Sequence, residues 1–328
     1  MIVNVMFFLG ESEMIVFVVR RLIETVIVLV IVSFIAFSLL HITPGDPALF
    51  ILGDSATPER IDALRRELWL DQPLWVQYWR WATNLLQGNL GNSIIFRESV
   101  AKLFTVRLPI TFHLGIVALV LSILLSIPAG IISAVRRGGW LDSIINVFAN
   151  LAMAVPIFWL GILGIYFFAL QLGWLPVQGY TSPGDDFWLS TKQLVMPSIC
   201  LALVPLASLT RQTRSSMLEV IRQDYIRTAR SKGLSEWQVI TEHALKNAII
   251  PVVTLLGMQL RNLVGGAILV EQVFNIPGMG RLLVSGVFGK DYILVQGMVM
   301  IVGIVVALAN LAVDISYGYI DPRIRYDE

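Results

Sequence analysis

Apolar residues fall in long uninterrupted blocks instead of alternating with polar ones at the period of a strand or an amphipathic helix. A helix needs about 20 mostly apolar residues to cross the hydrocarbon core of a bilayer, and six segments reach or approach that length. They are 22–40, with one charge at Glu24, and 111–135, with none. The third lies at about 144–172, inside the uncharged stretch 143–184, and the fourth is 194–210, carrying Pro197 and Pro205. The fifth, 251–270, is interrupted by Arg261, and the sixth is 292–313. The pattern predicts an all-α polytopic membrane protein with six transmembrane helices.

Composition strengthens this reading. The chain is 56% apolar and 14% charged, with a mean hydropathy of +0.75, whereas a soluble domain carries about 25% charged residues. A soluble chain of this size would leave large apolar patches exposed. A soluble enzyme, a disordered scaffold and a fibrous repeat are thereby excluded. The net charge of +1 indicates no partner. One cysteine, Cys200, rules out an internal disulfide or thiolate cluster, and its apolar surroundings suit a small buried side chain. His41, His113 and His243 are scattered, with no metal-ligand spacing. Residues 1–9 are apolar but too short to span, and lack the basic start of a signal peptide. Met14 opens a segment that reads as a natural beginning, so residues 1–13 are read as a start-site artefact.

Lysine and arginine orient the chain. Arg20 and Arg21 precede the first span, Arg136 and Arg137 follow the second, seven basic residues follow the fourth, and Arg323 and Arg325 lie in the tail. The alternate short loops are poorer. The expected organisation is a cytoplasmic N-terminus (1–21), a first transmembrane helix (22–40), an external loop (41–110), a transmembrane domain of five helices (111–318) with a cytoplasmic loop at 211–250, and a cytoplasmic tail (319–328).

In the external loop, Pro44-Gly45-Asp46-Pro47 ends the first span. Thr57 and Pro58 then read as N-cap and first residue of a short helix. The aromatics of 74–81 suit the headgroup interface, and the loop reads as a small cap on the outer face.

The loop 211–250 holds seven basic and four acidic residues. The stretch 215–232 spaces Met217, Val220, Ile221 and Tyr225 on one helical face. Gly233 falls where a left-handed residue would close that helix, with Arg230 and Lys232 in its last turn. Ser235 and Gln238 fit a capping box, and a second helix follows, presenting Trp237, Ile240, Ala244 and Leu245. A helix–glycine–helix corner between two spans reads as a docking element for a cytoplasmic partner. The alternatives are a solvated connector, an amphipathic pair lying on anionic lipid, and a DNA-binding helix-turn-helix. The last is disfavoured because both ends are tethered near the bilayer.

Arg227-Thr228-Ala229-Arg230-Ser231-Lys232-Gly233 resembles the EAA loop of prokaryotic importer permeases, the part that docks on the ATP-binding subunit. The longer run from Asp224 to Gly233, followed by His243-Ala244-Leu245-Lys246-Asn247-Ala248 and Pro251, resembles the dipeptide/oligopeptide/nickel permease family. His41-Ile42-Thr43-Pro44-Gly45-Asp46-Pro47, Gly88-Asn89-Leu90-Gly91-Asn92-Ser93, the run from Glu271 to Leu282 (EQVFNIPGMGRL) and Asp321-Pro322-Arg323-Ile324-Arg325-Tyr326 agree with it. The similarity runs from about residue 14 to the end. It departs from the generic EAA pattern at Arg227, Thr228 and Lys246, which stand where that pattern has Glu, Ala and Pro.

The resemblance implies the type I ABC importer permease fold, with Arg227, Thr228, Ala229, Gly233, Leu234, His243 and Leu245 in the ATPase-docking loop. It implies two ABC ATPase subunits as partners, a second homologous permease subunit completing the pathway, and an extracytoplasmic substrate-binding protein. The chain would sit in the lipid bilayer of a prokaryotic cell membrane and bind no nucleic acid. Peptides, glutathione, nickel chelates and some sugars or opines are cargoes of permeases that look like this. No GxxxxGK[ST] occurs; residues 286–291 (GVFGKD) lack its spacing and hydroxyl. No cofactor is therefore expected on this chain, ATP and Mg being used by the partner ATPases, whose closure would push the Gly233 corner and rock the spans.

Arg261 is a long cation well inside a span, where such residues face a bundle interior or a watery path. It is expected to line the pathway and attract carboxylate-bearing cargo, or to pair at an interface. The rival reading is an ion-coupled secondary carrier, which would normally show several intramembrane acids or repeated broken helices. Only Glu24, Glu271 and Asp314 occur, all near span ends. A membrane-embedded enzyme would need a base spaced to partner Ser122, Ser126, Ser198 or Ser208, and none is.

Overall fold

A computed structural model describes the backbone of residues 2–42, 47–52, 56–67 and 69–320, with side chains described at 16–39, 48–49, 52, 56–66, 69–259 and 267–315. The described residues are helical apart from turns and one isolated antiparallel bridge, Asn92–Ser99. In chain order the helices are α1 (Ile2–Ile42), α2 (Pro47–Leu52), α3 (Pro58–Glu67), α4 (Leu74–Leu86), α5 (Val100–Val135), α6 (Trp140–Ala154) and α7 (Ile157–Gly164), which continues as a π-helix over Ile165–Gln171. There follow α8 (Phe187–Val220), α9 (Asp224–Ser231), α10 (Glu236–Gln238), a π-turn Val239–Ala244, α11 (Leu245–Ala248), α12 (Ile250–Val273), α13 (Met279–Phe288) and α14 (Tyr292–Ile320).

Among the described residues four helices are long and apolar enough to cross a membrane, and up to six spans result if each of two bent pairs counts as one. The residues form two compact units, one from the chain up to Leu108 together with the chain from Leu282, the other Pro109–Arg281.

In the first unit α1 packs along α14, so closely that a Cβ on Gly303 would strike Val32. The lipid-compatible faces of α1 remain exposed, with Val26, Ile31 and Phe34 more than half accessible. Tyr78 of α4 lies edge-on against Phe34 and Phe37, and its hydroxyl is 2.8 Å from Ser33 Oγ. The expected N-terminus at Thr57-Pro58 is present, with the Arg60 amide 3.4 Å from Thr57 Oγ1. Asp291, fully buried, accepts from Ser93 Oγ at 2.6 Å and from the amides of Ile94, Ile95 and Leu294. One carboxylate thus caps α14 and fastens the turn after Gly88-Asn89-Leu90-Gly91-Asn92-Ser93, which gives that motif a physical purpose.

In the second unit α8 is the central helix, packed against α6, α7, α11 and α12. Its core joins Leu114 and Ala118 of α5 to Leu194, Cys200 and Leu201 of α8 and Val270 and Phe274 at the end of α12. Cys200 is buried and free, as its apolar run predicted.

Three expectations change. The third span is not one helix over 144–172: α6 and α7 meet at a 101° bend. Pro156 has no N–H to continue the ladder and forces Val155 into an extended conformation (φ −84°, ψ 129°). The fourth helix runs far beyond 194–210. Asp186 caps its start by accepting from the Leu189 amide, and both prolines sit inside it. Finally, 215–232 is two helices, broken where Gln223 is extended (φ −71°, ψ 150°).

Candidate functional site

The segment joining α8 to α12 builds its own small core. Met217, Ile226, Ala229, Val239, Ala244 and Ala248 are buried together with Ala134 from the end of α5, and Leu218, Leu234 and Leu245 pack around them. Gly233 has φ +78°, the left-handed conformation predicted for it. A Cβ there would meet no atom within 4 Å. Ser235 and Gln238 form the expected capping box. Across the glycine, Arg230 donates to Glu236 at 2.8 and 3.2 Å. The guanidinium keeps the Glu236 carboxyl below its ordinary range. Asn247 donates to the Tyr225 hydroxyl at 2.8 Å and closes the far side.

The seven residues expected in the docking loop divide into three groups. Arg227, Thr228 and Gly233 are exposed on the corner, Arg227 lying 3.7 Å from Asp224. His243 is half-buried. Ala229, Leu234 and Leu245 belong to the core that stiffens the corner from beneath. Trp237 is not on the packed face: 75% of it is exposed, because the buried stripe of the second helix runs through Val239, Ala244 and Ala248 instead. Helix periodicity alone allows either assignment, since the π-turn shifts the register by one residue.

Below the corner sits a polar junction that no spacing rule signals. Asp142, buried at the start of α6, accepts from Arg214 of α8 at 2.8 and 2.9 Å in a two-pronged pair. It also accepts from Ser133 of α5, from the Gly138 amide at 2.9 Å and from Asn146 at 2.7 Å. Three helix ends are tied to one carboxylate. Ser133 precedes Ala134, and Arg214 lies one turn before Met217, so the junction adjoins the core of the corner.

A second buried carboxylate explains the run from Glu271 to Leu282. Glu271 is fully buried, accepts from Thr111 Oγ1 at 2.6 Å and from the Arg281 amide at 3.0 Å, while the Met279 amide donates to Thr111 Oγ1 at 2.8 Å. Together Thr111 and Glu271 satisfy two of the free amides at the start of α13. A Cβ on Gly278 would overlap the Glu271 carboxylate. Gly278→Ala should therefore lower stability by about 1–3 kcal/mol, the cost of overpacking a filled site, read as a fall in the melting temperature of the detergent-solubilised chain.

Arg261 falls within α12, but its side chain lies outside the described residues. Among the described residues no group of three His, Cys, Asp or Glu is placed to hold a metal ion.

Residues 126–326 match the family described as binding-protein-dependent transport system inner membrane component, and residues 14–115 match the N-terminal segment of such membrane components. The chain is 41% identical over 311 residues to a protein of Sinorhizobium fredii named "Probable peptide ABC transporter permease", covering 95% of this chain and 99% of that one. It is 39% identical to the dipeptide transport system permease of Alkalihalophilus pseudofirmus (95% and 100% covered) and 41% identical to a glutathione transport system permease of Escherichia coli (94% and 99%). In fold it resembles a chain of the inward-facing MetNI methionine ABC transporter, with a TM-score of 0.55 at 19% identity, covering 67% of this chain and 96% of that one.

Proposed function

Because the chain belongs to the binding-protein-dependent transport system inner membrane component family, we propose that it is the permease subunit of an ATP-driven importer for peptides or closely related small solutes. The observation that carries this reading is the corner at Gly233: two short helices, the first closed by the left-handed glycine and the second begun by the Ser235–Gln238 box, braced by their own core and joined to the long helix α8. A connector would need none of that construction. In this proposal the corner and both termini face the cytoplasm, as the placement of Arg and Lys favours, and residues 41–110 face outward. Two ATPase subunits dock on the corners of this chain and of a second permease, an extracytoplasmic binding protein delivers cargo, and ATP is hydrolysed only by the ATPases.

The carrier reading is weaker. Glu24 is paired with Arg20 and Arg21, Asp314 lies 3.8 Å from Arg21, and Glu271 is held by Thr111 and the Arg281 amide. These acids are structural anchors. Purification of the tagged chain from its host in mild detergent tests the proposal. The expected result is recovery of a second permease and two ATPases, with ATP-dependent peptide uptake on reconstitution with the binding protein. A chain that purifies alone and accumulates solute on an ion gradient overturns it.

A further inference from the structure

Helices α6 and α8 meet through two kinds of contact. Along their length the buried contact is made by methyl groups, Ala149 and Ala152 of α6 against Ala207 of α8, with Leu203 beside them. Apolar contact of this sort is non-directional, and packed helices shift by sliding along one another. At the start of α6, Arg214 of α8 grips the buried carboxylate of Asp142 with two N–H donors at 2.8 and 2.9 Å. A fork of that kind fixes register as well as distance. Among the described residues this pair is the one hydrogen-bonded or ionic tie between α6 and α8.

The corner at Gly233 reaches α8 and α5 directly. Met217 and Leu218 of α8 and Ile131 and Ala134 of α5 lie in or against its core, to which α6 contributes no described residue. Helix α5 is also seated closely on α8 at Gly130, where a Cβ would strike Thr213 and the Thr210 carbonyl. A displacement of the corner is therefore passed to α8 and α5 by close packing, whereas α6 is held to that body through Asp142. Helix α6 is the first limb of the bent third span, and α7 beyond the bend packs on α8 and α12. We propose that the Asp142–Arg214 pair is a coupling latch, with Arg214 the positioning residue that makes α6 move in register with α8 when an ATPase displaces the corner. The inference rests on the importer reading and names the residues that carry the displacement into the third span.

The test uses the complete transporter reconstituted in liposomes with its binding protein, and reads the peptide moved per ATP hydrolysed for dialanine and pentaalanine. Arg214→Lys keeps the positive charge and loses the fork. It should keep its ATPase subunits and lower that ratio about fivefold to tenfold, within the range over which residues between coupled sites alter the coupling, because hydrolysis continues while α6 lags. Ser133→Ala removes the α5 hydroxyl from the same carboxylate and leaves the α6–α8 pair in place, so its ratio should stay at the wild-type value. The melting temperature of both variants is measured alongside. An unchanged ratio in Arg214→Lys overturns the inference. A ratio that falls in both variants in step with their melting temperatures also overturns it and makes the junction a stabilising contact only. A wild-type complex that moves neither peptide with ATP removes the importer reading and this inference with it.

Discussion

Asp142→Ala, which strands the Arg214 guanidinium, is expected to destabilise the chain by about 3 kcal/mol, and to do so at the place where three helix ends meet the corner. The magnitude follows from what is left behind. Asp142 is buried and Arg214 retains about a quarter of its side-chain exposure, so the abandoned cation is partly rehydrated and the lower end of the buried-pair range applies. Ser133 and the Gly138 amide lose their acceptor at the same time. Removing both charges with Asp142→Leu and Arg214→Met together should cost less than the single change, because no uncompensated charge remains. Thermal unfolding of the four proteins of that cycle in one detergent measures the coupling. A double variant as unstable as the sum of the singles would show that the pair contributes nothing beyond its separate contacts.

The junction also shows what kind of information the sequence carries. Six apolar blocks were legible because bilayer crossing imposes length and composition on contiguous residues. Gly233 and the Ser235–Gln238 box were legible because capping is local, within three or four residues. Asp142 pairs with a residue 72 positions away, Glu271 with one 160 away and Asp291 with one 198 away. Nothing in a local pattern selects those partners. The available hints were an acid three residues into a helix after a glycine pair, an acid at the end of an apolar stretch, and an acid just before a span. Each becomes specific only once packing brings the other helix alongside.

The errors have the same origin. Pro156 marks the place of the 101° bend, but a proline by itself does not set the size of a bend, because proline in a span is tolerated when neighbouring groups satisfy the freed carbonyls. Whether they do is a tertiary fact. Of Trp237, Ile240, Ala244 and Leu245, the last three pack in or against the corner's core while Trp237 is exposed, a split that an α-helical wheel does not give because a π-turn intervenes at Val239–Ala244. The motifs from Gly88 to Ser93 and from Glu271 to Leu282 were legible as strings, and their purpose appears only as two buried carboxylates holding helix starts.

Replacing Gly233 by tryptophan is expected to strip the chain of its ATPase subunits while leaving its spans folded. The two effects separate because of geometry. A Cβ added at Gly233 has no atom within 4 Å, so the first cost within the chain is the left-handed backbone, about 1–2 kcal/mol, which the melting temperature of the variant reads directly. Bulk on the projecting surface is felt instead by whatever docks there. Trp237→Ala probes the same surface from the other side. It removes a large exposed ring that contributes nothing to the corner's core, and tryptophan is among the residues that most often carry an interface. If it anchors the ATPase, its loss should weaken association by about 2 kcal/mol or more, roughly thirtyfold. Leu245→Ala provides the contrast, since it empties the core beneath and should lower the melting temperature before it alters docking. Co-purification of ATPase subunits, compared with the melting temperature of each variant, distinguishes the outcomes. Gly233→Trp chains that keep their ATPases at the wild-type ratio would mean that the corner is not the docking surface.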